Sequence, residues 1–303
     1  MLGQNDLEHL EKIIFIEDMT AVQKETLTKG KIFGWKSIFL RNNGNNYEKV
    51  FLDSDDVSSV IYTSGTTGMP KGVLLTHRNF LSNVEAVNYA VPVKASDVFL
   101  SFLPLSHVLE RTAGYYIPLL LGATIAYAEN IKQLTSNLRQ VRPTILISVP
   151  RVFEKFHDKI WDSINKGSSF QKKMFKWALK QKKGSMRYWF ADLLVFSKIR
   201  QKMGGRLRLT ISGGASLNEK VARFFLKIGF VVIEGYGLTE TSPVVSSNRE
   251  KDLKVGTVVK PIFGTKVKIS NEKEILVKGM GVFEKYLKNE EETNKCFDED
   301  GWF

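Results

Sequence analysis

The chain has little cysteine, little histidine and no long hydrophobic run. Its single cysteine, Cys296, excludes an internal disulfide framework, and its four histidines show no Cys/His spacing typical of zinc sites. The longest apolar stretch, 113–128, is shorter than the roughly 20 residues of a spanning helix, and we interpret it as buried core. Residues 1–10 do not resemble a secretory signal, so we expect a cytoplasmic protein in a reducing compartment.

Acidic residues are also scarce, and the imbalance is local. The chain has 44 Lys and Arg against 32 Asp and Glu, a net charge of +12. Segment 155–208 holds fifteen basic and three acidic residues, so the remainder is neutral. At helical spacing, one face of this segment is basic and carries Lys172, Lys173, Lys176, Lys180 and Lys183. The opposite face is apolar and carries Phe170, Met174, Trp177 and Ala178.

Two readings of this basic helix remain open. A two-faced helix can lie peripherally on an anionic membrane surface, or it can be a solvated helix packed on its own domain. Nucleic-acid binding is disfavoured, because no aromatic and basic module signature accompanies the charge.

The segment from Tyr62 to Gly72 combines glycines, hydroxyls and one cation. Short β-prone runs flank it at 58–62 and 73–75, which predicts a loop between two strands. The glycines can turn successive N–H groups into one concavity, where hydroxyls and a lysine add donors and charge. This composition is typical of polyphosphate binding, but the order differs from a P-loop, because Pro70 precedes Lys71. The candidate ligands are Thr63, Ser64, Gly65, Thr66, Thr67, Gly68 and Lys71.

Apolar β-prone runs alternate with helical segments along the middle of the chain. The runs are 98–103, 123–127, 144–149, 207–211 and 230–233. This order predicts an α/β fold, a doubly wound and mostly parallel sheet with helices on both faces and the site at strand ends. Beyond about residue 245, short alternating segments such as 256–259, 264–269 and 274–278 predict a small antiparallel β unit.

Two further strings follow the phosphate-binding segment in the chain. They are Ser212-Gly213-Gly214-Ala215-Ser216-Leu217 and Glu234-Gly235-Tyr236-Gly237-Leu238-Thr239-Glu240-Thr241. With the first segment, these strings resemble, in order, the motifs of the adenylate-forming superfamily, which includes acyl-CoA synthetases, peptide-synthetase adenylation domains and luciferases. The resemblance covers nearly the whole chain and implies ATP, Mg²⁺ and coenzyme A as cofactor and co-substrates.

The resemblance also implies roles for individual residues. Thr66, Thr67 and Lys71 would hold the β- and γ-phosphates, and Thr239 the α-phosphate. Magnesium would bind Glu240 and Thr66. Tyr236 would stack on adenine, although a lone tyrosine would more often be core. Gly213, Gly214 and Ala215 would line the base and acyl pocket, and Glu234, Gly235 and Gly237 would belong to the nucleotide-binding site. His107, in Pro104-Leu105-Ser106-His107, would border the acyl carboxylate, where no proton needs to be removed.

Within the superfamily, the strings around 104–112 and 142–155 look most like long-chain fatty acyl-CoA synthetases. This resemblance implies ATP-dependent activation of a fatty acid to an acyl-adenylate and then an acyl-CoA. A membrane contact at the basic helix would suit such a substrate. Adenylation of an amino acid is one alternative, although no pocket aspartate is identifiable. An inactive nucleotide-binding fragment that serves as an interaction module is another.

The resemblance predicts the domain organisation. We expect an α/β AMP-binding core at 1–245 with a basic helical insertion at about 155–206, and a truncated β subdomain at 246–303. Family members begin before the region that Met1 matches. They continue beyond Phe303 into a ribose-binding motif and a C-terminal lid domain with a catalytic lysine. We therefore expect these 303 residues to be weak or inactive alone.

Overall fold

The computed structural model describes residues 13–15, 32–34, 50–64, 69–258 and 260–303. Its contacts divide the chain into two compact units, Met1–Leu52 and Asp53–Phe303. In the first unit, strands β1 (Ile13–Phe15) and β2 (Ile32–Gly34) pair in parallel. The division predicted at residue 245 stays a prediction.

The second unit begins with the hairpin that carries the phosphate-binding segment. Strands β3 (Val57–Ser64) and β4 (Pro70–Thr76) pair antiparallel, as the flanking runs predict. Gly65 to Gly68 lie outside the described residues. A third segment runs along β4, where the N–H of Leu287 donates to the carbonyl of Gly72 at 2.7 Å. The hairpin is therefore held from residues more than two hundred positions away.

Helix α1 (His77–Ala90) follows β4 directly. Thr76 caps it, because its hydroxyl accepts from the N–H of Asn79 at 3.2 Å and its N–H donates to the Asn79 side chain at 2.9 Å. This capping box fixes the start of the helix at Thr76, one of the two residues, Thr76 and Asn79, that the sequence offers for it. Phe80, Val84 and Val87 are buried along one face, as their spacing predicts.

A seven-stranded sheet forms the core of the second unit. Its strands are β5 (Val98–Ser101), β6 (Thr124–Tyr127), β7 (Ile145–Ser148), β8 (Leu209–Ser212), β9 (Val232–Gly237), β10 (Val244–Ser247) and β11 (Lys260–Pro261). Their order is β11-β10-β9-β8-β7-β5-β6. Strands β5 to β9 run parallel, and β10 and β11 form an antiparallel edge. The predicted mostly parallel sheet is confirmed.

Helices cover both faces of this sheet. After α1 the helices of the second unit are α2 (Ile117–Leu120), α3 (Leu134–Val141), α4 (Pro150–Asn165), α5 (Ser169–Lys180), α6 (Met186–Ala191), α7 (Ser197–Lys202), α8 (Glu219–Lys227) and α9 (Glu290–Lys295). Two π-helical segments, Glu110–Tyr116 and Asp192–Phe196, precede α2 and α7. Adjacent strand residues enter opposite cores: Leu146 packs with α3 to α8, and Ile145 packs with α1. This alternation confirms the doubly wound arrangement.

The region after residue 245 contains the predicted antiparallel unit. Strands β12 (Lys266–Ile269) and β13 (Ile275–Lys278) form a two-stranded sheet. The strand expected at 256–259 is not observed over its described part, since Gly256 lies in a turn with φ of +79°. Glycine suits that backbone conformation and interrupts a strand.

The interpretation of segment 113–128 as buried core and the placement of Lys183 on the basic helix face need correction. Segment 113–128 is only partly core: Ile117 is buried, but Leu119 and Leu120 are exposed at the end of α2. On α5, Phe175 and Ala178 are buried, while Phe170 and Trp177 face solvent, and Lys183 lies beyond the helix end. Periodicity predicts which residues share a face but not which face finds a partner. Within the described ranges, every helix is too short or too polar to cross a lipid bilayer.

Candidate active site

Lys71 stands at the start of β4, across the hairpin from Thr63 at the end of β3. Its side chain is only 14 % exposed, and its ammonium pairs with the carboxylate of Glu292 in α9. The same nitrogen lies 5.3 Å from the centroid of the Tyr286 ring. The cation is thus held in place by two residues near the end of the chain.

Glu240 lies in a 3₁₀ turn, Thr239–Thr241, that follows β9. Its Oε1 accepts a 2.8 Å hydrogen bond from the hydroxyl of Tyr286, and its carbonyl accepts one of 2.7 Å from the N–H of Phe283. Burial and the nearby negative charge of Glu240 raise the pKa of Tyr286 well above its usual value. The hydroxyl therefore stays protonated and can donate to the carboxylate.

Buried side chains hold the turn that carries Thr239 and Glu240. The amide of Asn83 in α1 donates to the carbonyls of Thr241 at 3.2 Å and Val244 at 2.9 Å. The hydroxyl of Thr112 in the first π segment donates to the carbonyl of Ser242 at 3.0 Å. These bonds satisfy turn carbonyls in the protein interior, where unpaired polar groups are costly. The carboxylate of Glu240 is therefore presented by a rigid support.

Glycines allow three chain segments to approach one another at the strand ends. A Cβ on Gly237 would lie 1.7 Å from the carbonyl oxygen of Pro243, so no other residue fits at this crossing of β9 and β10. Gly213 follows β8, and a Cβ there would meet the Leu109 side chain at 3.1 Å. Gly214 has a φ of +82°, a conformation that favours glycine. The glycine strings thus permit close packing around a cavity.

A cavity of about 450 Å³ lies where these segments meet. Its polar lining includes residues of all three motifs together with His107 and Tyr286, namely Thr63, Ser64, Lys71, His107, Gly213, Gly214, Gly235, Tyr236, Gly237, Thr239, Glu240 and Tyr286. Its apolar lining includes Val87, Val91, Phe99, Val108, Ala113 and Ile117. Lys71 and Glu240 therefore share one cavity and contact the same tyrosine.

His107 lines this cavity just before the first π segment. Its Nδ1 lies 3.2 Å from the N–H of Leu109 and accepts from it. In a neutral imidazole, an accepting Nδ1 leaves the proton on Nε2. His107 is thus arranged to donate a hydrogen bond from Nε2.

Glu110, at the start of the same π segment, is a buried carboxyl group. Neither of its oxygens has a hydrogen-bond partner among the described residues, and Gly114 leaves the space that its carboxyl occupies. Burial is the largest effect on Glu110 and raises its pKa to about 7. The segment beside the cavity therefore contains a group that titrates near neutrality.

Some predicted site residues lie elsewhere. Glu234 is not among the cavity-lining residues; its carboxylate accepts from the N–H groups of Leu217 at 3.3 Å and Gly256 at 3.5 Å. These contacts tie β9 to the turns before and after it. Ala215 is also absent from the described lining. Gly65, Thr66, Thr67 and Gly68 lie outside the described residues, so their roles stay predictions.

Sequence reasoning missed Tyr286 and Glu292. Both lie in a region interpreted only as a β unit, and nothing local distinguishes them from surface residues. What brings Tyr286 to the site is the Val73–Tyr286 bridge, which pairs its segment with β4. That pairing is tertiary and leaves no periodicity in the sequence.

The side chains that line the cavity suit magnesium bound through a single carboxylate. Among the described residues, no three His, Cys, Asp or Glu side chains group together to hold a metal ion. Magnesium in nucleotide sites commonly uses one or two carboxylates and completes its shell with phosphate and water oxygens. Glu240, in the cavity that Lys71 also lines, matches that mode and not an all-protein cage.

Solved structures share this architecture. A malonyl-CoA ligase with methylmalonyl-CoA and AMP bound aligns with a TM-score of 0.65 at 26 % identity, over 84 % of this chain and 50 % of that one. The apo structure of MatB from Rhodopseudomonas palustris aligns with a TM-score of 0.65 at 25 % identity, over 85 % of this chain and 46 % of that one. The fold class is that of adenylate-forming enzymes.

Sequence comparison identifies the family. The model of the AMP-binding enzyme family matches residues 3–287, and the chain belongs to this family. It is 36 % identical over 292 residues to long chain acyl-CoA synthetase 6, peroxisomal, of Arabidopsis thaliana, covering 88 % of this chain and 41 % of that protein. It is 36 % identical to the long-chain-fatty-acid–CoA ligase FadD15 of Mycobacterium bovis, covering 83 % and 44 %. The chain thus spans less than half the length of these relatives.

Proposed function

We propose that this chain binds ATP and a long-chain fatty acid in the cavity and belongs to an enzyme that makes the acyl-adenylate and then the acyl-CoA. The observation that carries the proposal is the shared cavity of Lys71, Glu240 and an apolar wall. A cation and a carboxylate suit a magnesium triphosphate, and the apolar wall suits an alkyl chain.

Adenylation joins two anions, so the site must offset their repulsion and align them. An oxygen of the fatty acid carboxylate attacks the α-phosphorus of ATP, and the bond to pyrophosphate breaks. Lys71 would hold the departing phosphates, Thr239 would contact the α-phosphate, and His107 would donate from Nε2 to the acyl carboxylate. When bound at Glu240, magnesium would neutralise part of the triphosphate charge. The coenzyme A thiol then displaces AMP at the acyl carbon.

Tyr236 and the glycine strings complete the proposed nucleotide site. Tyr236 lines the cavity at the end of β9 and would present its ring to adenine. Gly213, Gly214 and Gly235 would leave room for the base and the acyl carbonyl. Because no side chain projects from these positions, ligand atoms could approach the backbone closely.

The lining favours a fatty acid over more polar acids. Val87, Val91, Phe99 and Ile117 belong to three different elements and together form an apolar wall. An amino acid or dicarboxylate would need a buried counter-charge at that wall. The relatives named as long-chain acyl-CoA synthetases also support the fatty acid assignment.

Titration calorimetry with non-hydrolysable acyl-adenylate analogues tests the proposal on the 303-residue chain. A long-chain analogue should bind more tightly than malonyl and aminoacyl analogues with the same nucleotide. Lys71→Ala should weaken magnesium ATP binding, whereas Lys220→Ala, at an exposed lysine of α8, should not. Equal affinity for the three analogues would rule out the long-chain assignment, and no effect of Lys71→Ala would rule out the phosphate role.

Exchange of pyrophosphate into ATP with a long-chain acid measures the chemistry itself. The weak turnover expected of the chain alone stays a prediction, and robust exchange would contradict it. An interaction module without catalytic function predicts nucleotide binding with no exchange even in a longer chain. Calorimetry and exchange together therefore distinguish the two functions.

A further inference from the structure

The helix that runs from α6 through the second π segment into α7 exposes a stripe of large apolar side chains. Five side chains, each 44 to 78 % exposed, recur at spacings of three and four residues: Met186, Trp189, Phe190, Leu193 and Leu194. That spacing places them on one side of a helix. Ala191, Phe196 and Ile199 are buried in the core instead. The helix is thus anchored on one side and unpartnered on the other.

Helix α5 extends this exposed surface. It packs against both α6 and the second π segment. Its Phe175 and Ala178 are buried, while Phe170 is 68 % and Trp177 39 % exposed. The rings of Trp189 and Phe190 contact each other edge to face at 5.0 Å. Two neighbouring elements thus both expose large apolar side chains, and exposed apolar patches mark interaction sites.

Basic side chains accompany the apolar stripe. The exposed cations on α5, on the turn that follows it and at the start of α6 are Lys173, Lys176, Lys180, Lys182, Lys183 and Arg187. None of them forms an ion pair with another described residue, and the sequence has no acidic residue from 163 to 191. Asp192 is neutralised, because both of its carboxylate oxygens accept from Arg200 at 2.6 and 2.7 Å. The surface therefore carries uncompensated positive charge.

The charge and the amino-acid composition of this surface indicate what kind of partner it binds. Protein interfaces are depleted in lysine, whereas interfacial helices on bilayers combine Trp, Phe and Leu with Lys and Arg. We propose that the face formed by α5, α6 and the second π segment docks on an anionic lipid bilayer. Trp189 and Leu193 insert into the headgroup region, and Lys182 and Lys183 contact anionic headgroups. This surface goes beyond the proposed ligase activity and does not depend on it.

The docking also has a consequence for substrate supply. Long-chain acids partition into bilayers, so a bilayer-bound ligase would meet its substrate in the same phase. The attachment needs no spanning helix, because apolar burial and electrostatic attraction act together at the interface.

Vesicle flotation of the 303-residue chain tests the proposal, with phosphatidylcholine alone and with phosphatidylcholine mixed with phosphatidylglycerol. We expect binding to the mixed vesicles that weakens with added salt. Lys182→Gln with Lys183→Gln should weaken it by about tenfold or more. Trp189→Ser with Leu193→Ser should also weaken it by about tenfold or more, since both side chains would lose apolar burial.

Matched controls change the same residue types away from this face. Leu119→Ser with Leu120→Ser removes two exposed leucines of α2, and Lys220→Gln with Lys251→Gln removes two exposed lysines. Both controls should bind vesicles as the unchanged chain does, with unaltered circular dichroism. Brominated lipids should quench tryptophan fluorescence, and Trp189→Phe should reduce that quenching.

Three results would overturn the proposal. The first is the absence of binding to the anionic vesicles, and the second is equal binding to neutral and anionic vesicles at low salt. The third is a loss of binding as large in the controls as in the variants. Self-association that Trp189→Ser with Leu193→Ser abolishes, without vesicle binding, would assign the face to a second copy of the chain.

Discussion

The Tyr286 hydroxyl donates a 2.8 Å hydrogen bond to Oε1 of Glu240, which joins the segment beside the phosphate hairpin to the turn after β9. Tyr286 also places its ring near the Lys71 ammonium. One side chain therefore positions both charged groups of the proposed triphosphate site. Tyr286 acts through these neighbours and is best described as a positioning residue.

Tyr286→Phe removes the hydroxyl and keeps the ring. Because the hydrogen bond reaches a charged acceptor from a buried donor, we expect a loss of about 1–2 kcal/mol in the free energy of unfolding. Urea denaturation measures it. Tyr89→Phe is the matched control, since Tyr89 is exposed and its hydroxyl has no partner among the described residues, and it should leave stability unchanged. Equal losses in both variants would refute the role of the bond.

Glu292→Gln removes the carboxylate that pairs with Lys71. A phosphate would have to displace this carboxylate, so the variant should bind inorganic pyrophosphate and ATP more tightly than the unchanged chain. The pKa of Glu292 is lowered by the hydrogen bond from Lys71 and, to a smaller extent, by the hydrogen bond from Lys295. Calorimetric titration measures the change in affinity.

Glu291→Gln is the control for this prediction. Glu291 is the neighbouring residue on α9 and, within the described part of the chain, pairs with Lys295 alone, whereas Glu292 pairs with Lys295 and Lys71. Both substitutions remove one negative charge from the same helix. If both tighten pyrophosphate binding equally, the effect comes from overall charge and not from a freed Lys71.

Asp97→Asn should make the chain less stable at neutral pH. Burial disfavours the charged form of Asp97, but hydrogen bonds from Arg208, Lys94 and Thr144 outweigh it and lower the pKa from 3.8 to about 2. A lowered pKa contributes stability that is present above pH 3.8 and is lost as the pH falls towards 2. We expect a loss of about 2 kcal/mol at neutral pH.

The pH dependence distinguishes this effect from a packing defect. Between pH 3.8 and about 2, the unchanged chain should lose its advantage over Asp97→Asn in urea denaturation. Asp162→Asn removes an exposed aspartate and should match the unchanged chain throughout. A difference that persists unchanged to the lowest pH would mean that the ion pair with Arg208 contributes nothing.

Glu110→Gln should have the opposite pH dependence. The pKa of Glu110 is raised by burial from 4.5 to about 7, so the folded chain holds this proton more tightly than the unfolded chain. Stability relative to the variant should therefore fall by about 3 kcal/mol as the pH rises from 4.5 through 7. Thermal unfolding across this range measures it. Glu85→Gln, at an exposed glutamate of α1, should show no such trend.

The sheet and the hairpin were predictable because their signals are local. Runs such as 144–149 are continuously apolar, as parallel strands buried on both faces must be. Thr76 and Asn79, just before the periodic Phe80 and Val84, predict the start of α1 within one turn, and the structure makes Thr76 the cap. Glycine strings between such elements predict close backbone approach, which Gly237 and Pro243 show.

Other features were not predictable from local pattern. Glu234 lies within a nucleotide motif, yet its carboxylate holds backbone amides, because its orientation depends on where β8 and the turn at Gly256 lie. The apolar face of α5 was left open between a membrane contact and packing on the domain, and in the structure Phe175 and Ala178 are buried while Phe170 and Trp177 are exposed. Whether a face is covered depends on the helices around it.

The sequence by itself determined the α/β class, the positions of the parallel strands β5 to β9 and the motifs that place this chain in its family, because propensity and periodicity act over a few residues. Only the tertiary structure decided that Tyr286 and Glu292 meet Lys71, and that the stripe from Met186 to Leu194 faces solvent. The contacts of Lys71 join residues that are distant in the chain, and the exposure of the stripe depends on how the surrounding helices pack. No local sequence pattern encodes either property.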